Sequence, residues 1–127
     1  MALNAGWNFI SAPGALVDPA LAAVFADTPE VNQVRSYQEG AWVTASRSGG
    51  PWSGTLAQIV DGRGYMVYAS AAVSLTLNVR ATDFLDMPPS YPLPAGWSMI
   101  GFTSRTSTLL VDTYLSTLAE NWRILHR

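Results

Sequence analysis

With 127 residues, 49% of them hydrophobic and 13% charged, the chain is long enough to bury a core without staples, yet carries about half the usual share of charge. A net charge of -2 with a pI near 5.1 excludes the basic stripe a nucleic-acid binder needs, and seven scattered arginines do not form one. The absence of cysteine removes disulfides, thiolate nucleophiles and cysteine metal sites together.

Met1 to Ala5 shows neither a positive n-region nor an apolar h-region, so no secretory signal is expected there. Trp7 to Ala12 is rich in aromatic and β-branched residues and runs into Pro13-Gly14, which predicts a strand followed by a turn. Asp18-Pro19 pairs an acidic N-cap with a proline at the first helical position, and Val17, Leu21, Val24 and Phe25 follow at helical spacing. The prediction is a helix of about two turns over 18 to 25, ended by Asp27-Thr28-Pro29. Gln33 to Tyr37 and Ala41 to Ala45 should pair as a hairpin across Gln38-Glu39-Gly40. Ser46 to Gly54 has little to bury except Trp52, so it is expected to be a mobile loop with that ring exposed.

Thr55 to Val60 fits a helical turn or a short strand equally, and Asp61-Gly62-Arg63-Gly64 reads as a turn. Tyr65 to Ala69 reads as a strand with both faces partly covered. Val73, Leu75, Leu77 and Val79 alternate with Ser74, Thr76, Asn78 and Arg80, which predicts a second strand folded back on the first as a hairpin. The uncharged stretch from Gly64 to Val79 is interrupted by Ser, Thr and Asn, so no membrane insertion is expected of it. Ala81 to Ala95 holds four of the eight prolines and should be an extended crossover.

After that crossover the chain repeats itself. Gly6-Trp7-Asn8-Phe9-Ile10-Ser11 returns as Gly96-Trp97-Ser98-Met99-Ile100-Gly101, and Val17-Asp18-Pro19-Ala20-Leu21 is answered by Val111-Asp112-Thr113-Tyr114-Leu115. The prediction is a full unit over 6-80 and a partial one over 96-127 within a single domain, 1-127. In the second unit a strand from Trp97 to Phe102 leads to a helix from about Asp112 to Glu120 and a last strand near Arg123 to His126. The fold class expected is α+β and β-rich, mostly antiparallel sheet with two short repeat-related helices. The unfinished second unit should close against the sheet of the first, with a modest tendency toward a two-fold homodimer through any edge left unpaired.

The order G-W-N-Φ-I-S, V-R-S-Y-x-x-G-x-W, G-x-G-Y-M-V-Y and then P-A-G-W-S-Φ-I-G resembles a repeated module of large bacterial and archaeal cell-surface proteins. In that module Met66 stands where tryptophan is usual. The resemblance implies a structural or adhesive module at the cell surface, partnered by itself or by neighbouring modules, with no catalytic residues and no cofactor.

The residues themselves point the same way. His126 is the one histidine, so neither a histidine-centred triad nor a multi-histidine metal site can be assembled in one chain. Asp83 and Asp86 read as loop carboxylates before they read as a glycosidase pair, and Asp18, Asp112 and Asp61 have roles as caps and turn former. Catalytic and metal residues are therefore expected to be none. Trp7, Trp42, Trp97, Tyr65 and Tyr68 fall in motif positions and are expected in the core or packed on the sheet. That leaves Trp52 and Tyr91, with Arg47, as the candidate ligand-binding residues of an alternative carbohydrate- or peptide-binding module.

Overall fold

A computed structural model describes residues 1–80 and 93–101. Among the described residues seven strands and one helix follow in chain order: β1 (Ala2–Leu3), β2 (Gly6–Ser11), α1 (Leu21–Val24), β3 (Val31–Gln38), β4 (Ala41–Ser46), β5 (Ser53–Gly54), β6 (Gly64–Ala69) and β7 (Val73–Ser74). Five of the strands make one antiparallel sheet in the order β2-β6-β3-β4-β5, and β1 pairs antiparallel with β7 beside it. The architecture is β-rich and antiparallel, as expected.

The β3-β4 hairpin forms as its turn chemistry dictates. Glu39 and Gly40 both take positive φ, 52° and 82°, the left-handed pair that a tight two-residue turn requires. The sheet's inner face is mainly apolar: Ile10 from β2, Tyr65, Val67 and Ala69 from β6, Val34 from β3 and Ala45 from β4 are all buried. Leu21, Phe25, Leu56, Ile59, Leu16, Leu75 and Leu3 cover this face and complete the core. Ser36 is a fully buried polar residue of this face, and it is satisfied: its hydroxyl donates to the Gly64 carbonyl at 2.7 Å.

Three expectations are corrected. The helix is a single turn and starts at Leu21 rather than at Asp18. Residues 19 to 21 are held extended against 57 to 59, with Leu21 N–H donating to Ala57 O at 3.1 Å and Ile59 N–H to Pro19 O at 2.8 Å. A backbone committed to that bridge cannot also be helical, so the Asp18 carboxylate accepts from Ala20 N–H before the helix instead of capping it. Among the described residues the expected pair of helices is therefore not supported, and the second stretch, 112 to 120, lies outside them.

The second correction concerns residues 65 to 79, which do not form a hairpin. The β6 strand is central, between β2 and β3, and the alternating run pairs elsewhere: β7 with β1, and Val79 with Leu16 as an isolated bridge. Its alternation is real, since Leu75 is buried while Ser74 and Thr76 are exposed, but the strand partners are the N-terminus and residues 15 to 17.

The third concerns the second copy of the Gly-Trp motif. Gly96 repeats the backbone of Gly6, with φ at 109° and 98°, so the two copies begin alike. They then diverge in use. Where β3 and β6 part beyond Arg35 and Met66, the second copy enters the gap: Met99 N–H donates to Tyr37 O, Gly64 N–H to Met99 O, both at 3.2 Å, and Gly101 N–H to Gly62 O at 3.0 Å. The expected crossover core residues Phe84, Leu85, Met87 and Tyr91, and the last strand at 123 to 126, lie outside the described residues.

Candidate functional site

Of the three residues singled out as a ligand site, Arg47 and Trp52 are tied into the fold. The Arg47 guanidinium donates through Nε to Val31 O at 2.8 Å, and through Nη2 to Thr28 O at 2.6 Å and Phe25 O at 3.1 Å. These carbonyls close the segment between α1 and β3, and one arginine satisfies all three. Burial draws the guanidinium below its ordinary pKa, with the Glu30 carboxylate opposing that shift. Trp52 lies beneath it, 4.7 Å from the guanidinium carbon to the ring centroid, and tilts against Phe25 at 5.6 Å. The expectation of an exposed Trp52 is overturned, because β5 pairs with β4 and draws the ring onto the core. An open groove of about 590 Å³ runs past Arg47, Trp52 and Leu21, but the polar atoms of its two large side chains face inward. Tyr91 lies outside the described residues.

Three of the five aromatics expected in the core or packed on the sheet are largely exposed, and Phe9 is exposed beside them. Trp7 is 40% exposed, Trp42 52%, Trp97 59% and Phe9 74%. Tyr65 alone of the motif aromatics is fully buried, with its hydroxyl accepting from Val60 N–H at 2.8 Å. Burial holds that phenol above its usual pKa, and the Val60 hydrogen bond and the nearby Arg63 charge oppose the rise.

Register explains how the exposed set comes together. Residues directly opposite in adjacent strands share a face. Trp7 is opposite Tyr68, which is opposite Gln33; Phe9 is opposite Met66, which is opposite Arg35; Arg35 is opposite Thr44, and Tyr37 opposite Trp42. All of these therefore point away from the core. Arg35 stands in the middle of the array, its guanidinium carbon 3.8 Å above the Trp7 centroid and 5.8 Å from that of Trp42. Tyr68 meets Trp7 edge to face at 5.3 Å, and Tyr37 meets Trp42 the same way at 5.3 Å.

The open face of the sheet is thus a platform of aromatic rings around one cation. Arg35 Nε is buried with no hydrogen-bond partner, and among the described residues no carboxylate lies within ion-pair distance of this guanidinium. The sequence held a signal for this face that motif reasoning passed over. Arg35 on a central strand must face solvent, and period-two alternation then places Gln33 and Tyr37 beside it. Trp7 and Phe9 likewise have the parity opposite to Ile10.

Among the described residues no group of three or more His, Asp or Glu side chains could hold a metal, and no helix is long and apolar enough to cross a membrane. In comparisons with known protein families, curated proteins and solved structures, nothing matches this chain.

Proposed function

We propose that the chain is a non-catalytic interaction module that binds another protein, a neighbouring module or a surface partner, through the open face of its five-stranded sheet. The carrying observation is the composition of that face. A solvated antiparallel face ordinarily alternates to polar residues, whereas this one presents Trp7, Phe9 and Trp42 around Arg35. Aromatic residues and arginine are the types enriched where protein interfaces concentrate their binding energy. The three rings carry no titratable group, which supports a binding role over acid-base chemistry.

Site-specific photo-crosslinking tests the reading. With a benzophenone amino acid at Phe9 in the cells that make this protein, a defined protein adduct is expected, and none at Ala22 on the helix side. Equal adducts from both positions would count against a dedicated face.

Carbohydrate binding is the second reading, supported by the exposed Trp42 ring. Against it, one face of Trp7 is already covered by the Arg35 guanidinium and is not open to a sugar ring. A neutral glycan panel read by tryptophan fluorescence separates the two, since quenching that is lost in Trp42→Ser favours the sugar.

A further inference from the structure

We propose that Arg35 is the recognition residue of the open sheet face and that it takes a carboxylate, the Asp or Glu side chain of a protein segment laid across β2, β6 and β3. The inference rests on the interaction reading above and names the chemistry of the partner.

Three arginines beside the sheet differ in what their donors reach. Arg47 spends three on backbone carbonyls, and Arg63 lies 3.8 Å from the Glu39 carboxylate. Arg35 has its ring contacts with Trp7 and Trp42 and no hydrogen-bond acceptor among the described residues. Its neighbours in register are Met66 and Thr44, with Gln33 and Tyr37 along its own strand, so among the described residues none of its neighbours on this face carries a negative charge.

Covering such a cation with an apolar partner would desolvate it without compensation, which is costly. A partner that covers Trp7 and Phe9 must therefore bring its own acceptor. Charge complementarity makes that acceptor a carboxylate, which guanidinium can bind through two parallel N–H bonds. Stacking over Trp7 also fixes the guanidinium before the partner arrives, so little further ordering is needed on binding. A second copy of this same face is the wrong occupant. In a two-fold interface a central residue approaches its own copy, and Arg35 would meet Arg35.

Selection from a random nonapeptide library on the immobilised chain provides the test, with clones that still bind a Phe9→Ser, Trp42→Ser double variant discarded. Retained clones are expected to share an Asp or Glu flanked by apolar residues two positions away. Synthetic peptides with that residue changed to Asn or Gln should bind at least tenfold more weakly. The tenfold difference should vanish on Arg35→Gln and shrink on Arg35→Lys, which keeps the charge and loses the fork. If Arg35→Gln does not fold, the acid-to-amide comparison on the unaltered chain decides alone. Face-dependent clones indifferent to that change would overturn the carboxylate assignment and leave the interaction reading standing. The absence of any face-dependent clone would overturn both, and binding of an oligouronate that protects Trp42 from oxidation would reassign the carboxylate to a sugar.

Discussion

Arg47 lies over Trp52, its guanidinium carbon 4.7 Å from the indole centroid, while its nitrogens reach the carbonyls of Phe25, Thr28 and Val31. One side chain thus joins the end of the helix, the start of β3 and the loop before β5. Arg47→Ala should destabilise by about 2 to 4 kcal/mol, since three carbonyls lose a charged donor and the ring loses its cover. Trp52→Ala should cost about as much, by removing a ring packed on Phe25. Denaturant midpoints at constant m-value check both, and a loss below about 1 kcal/mol for either would show the clamp to be dispensable.

The second Gly-Trp motif ends on Gly101, whose place between Ser11 and Arg63 admits no side chain. Trp97 is 59% exposed, so Trp97→Ala should change stability by less than about 1 kcal/mol. Gly101 has no such freedom: a Cβ there would meet the Ser11 side chain and sit 2.5 Å from Arg63 O. Backbone on one side and a neighbouring strand on the other leave nowhere to relax. Gly101→Ala should destabilise by about 1 to 3 kcal/mol, the range for inserting a methyl into a packed site. Thermal melts of the two variants side by side should show the larger loss at position 101.

Tyr65 ties stability to alkaline pH. Its phenol titrates above the ordinary value of 10.0 because burial disfavours the phenolate. Below that value both folded and unfolded chains hold the proton, and this group's contribution is fully present. As pH rises above it, the unfolded chain releases the proton first and stability falls until the folded phenol also titrates. Tyr65→Phe should abolish this part of the alkaline loss. At neutral pH the same variant should cost about 1 to 2 kcal/mol, because Val60 N–H loses its 2.8 Å acceptor. Urea melts at pH 7 and above pH 10 separate the two effects.

How far the chain could be read depended on whether a signal was local. The β3-β4 hairpin needed only Glu39-Gly40 and two flanking strands, and it forms. The signal for β6 was equally local, an aromatic and β-branched run over Tyr65 to Ala69 that forms a strand. The pairing of residues 73 to 79 was not. Alternation says that one face is buried, and it does not say which distant segment supplies the hydrogen bonds, here Met1 to Leu3 and Ala15 to Val17. The helix start failed for the same reason, since the bridge of Ala20 to Gln58 overrides the local preference of Asp18-Pro19. Motif position places Trp7 and Trp42 on the sheet, where they meet Tyr68 and Tyr37, but it does not say that the face they stand on is open. Tryptophan and phenylalanine on the parity opposite Ile10 can be core only if a second layer covers that face, and Trp7 and Phe9 are exposed.

The position of Arg35 also bears on self-association. A face carrying Trp7, Phe9 and Trp42 has enough apolar surface to attract its own copy, and one charge at its centre opposes that. In a two-fold arrangement the two guanidinium groups would be brought together and desolvated with no carboxylate between them. Arg35→Gln removes the repulsion while keeping most of the side chain's length. The variant should therefore self-associate more readily than the unaltered chain, with sedimentation velocity showing a larger species at the same protein concentration. Raising salt should move the unaltered chain in the same direction, since screening weakens the repulsion between partly exposed charges. Variants at Phe9 should reverse it, because Phe9→Ser in the Arg35→Gln background removes the most exposed ring of the face. If Arg35→Gln sediments identically to the unaltered chain at every concentration and salt, the charge is not what keeps copies of this face apart.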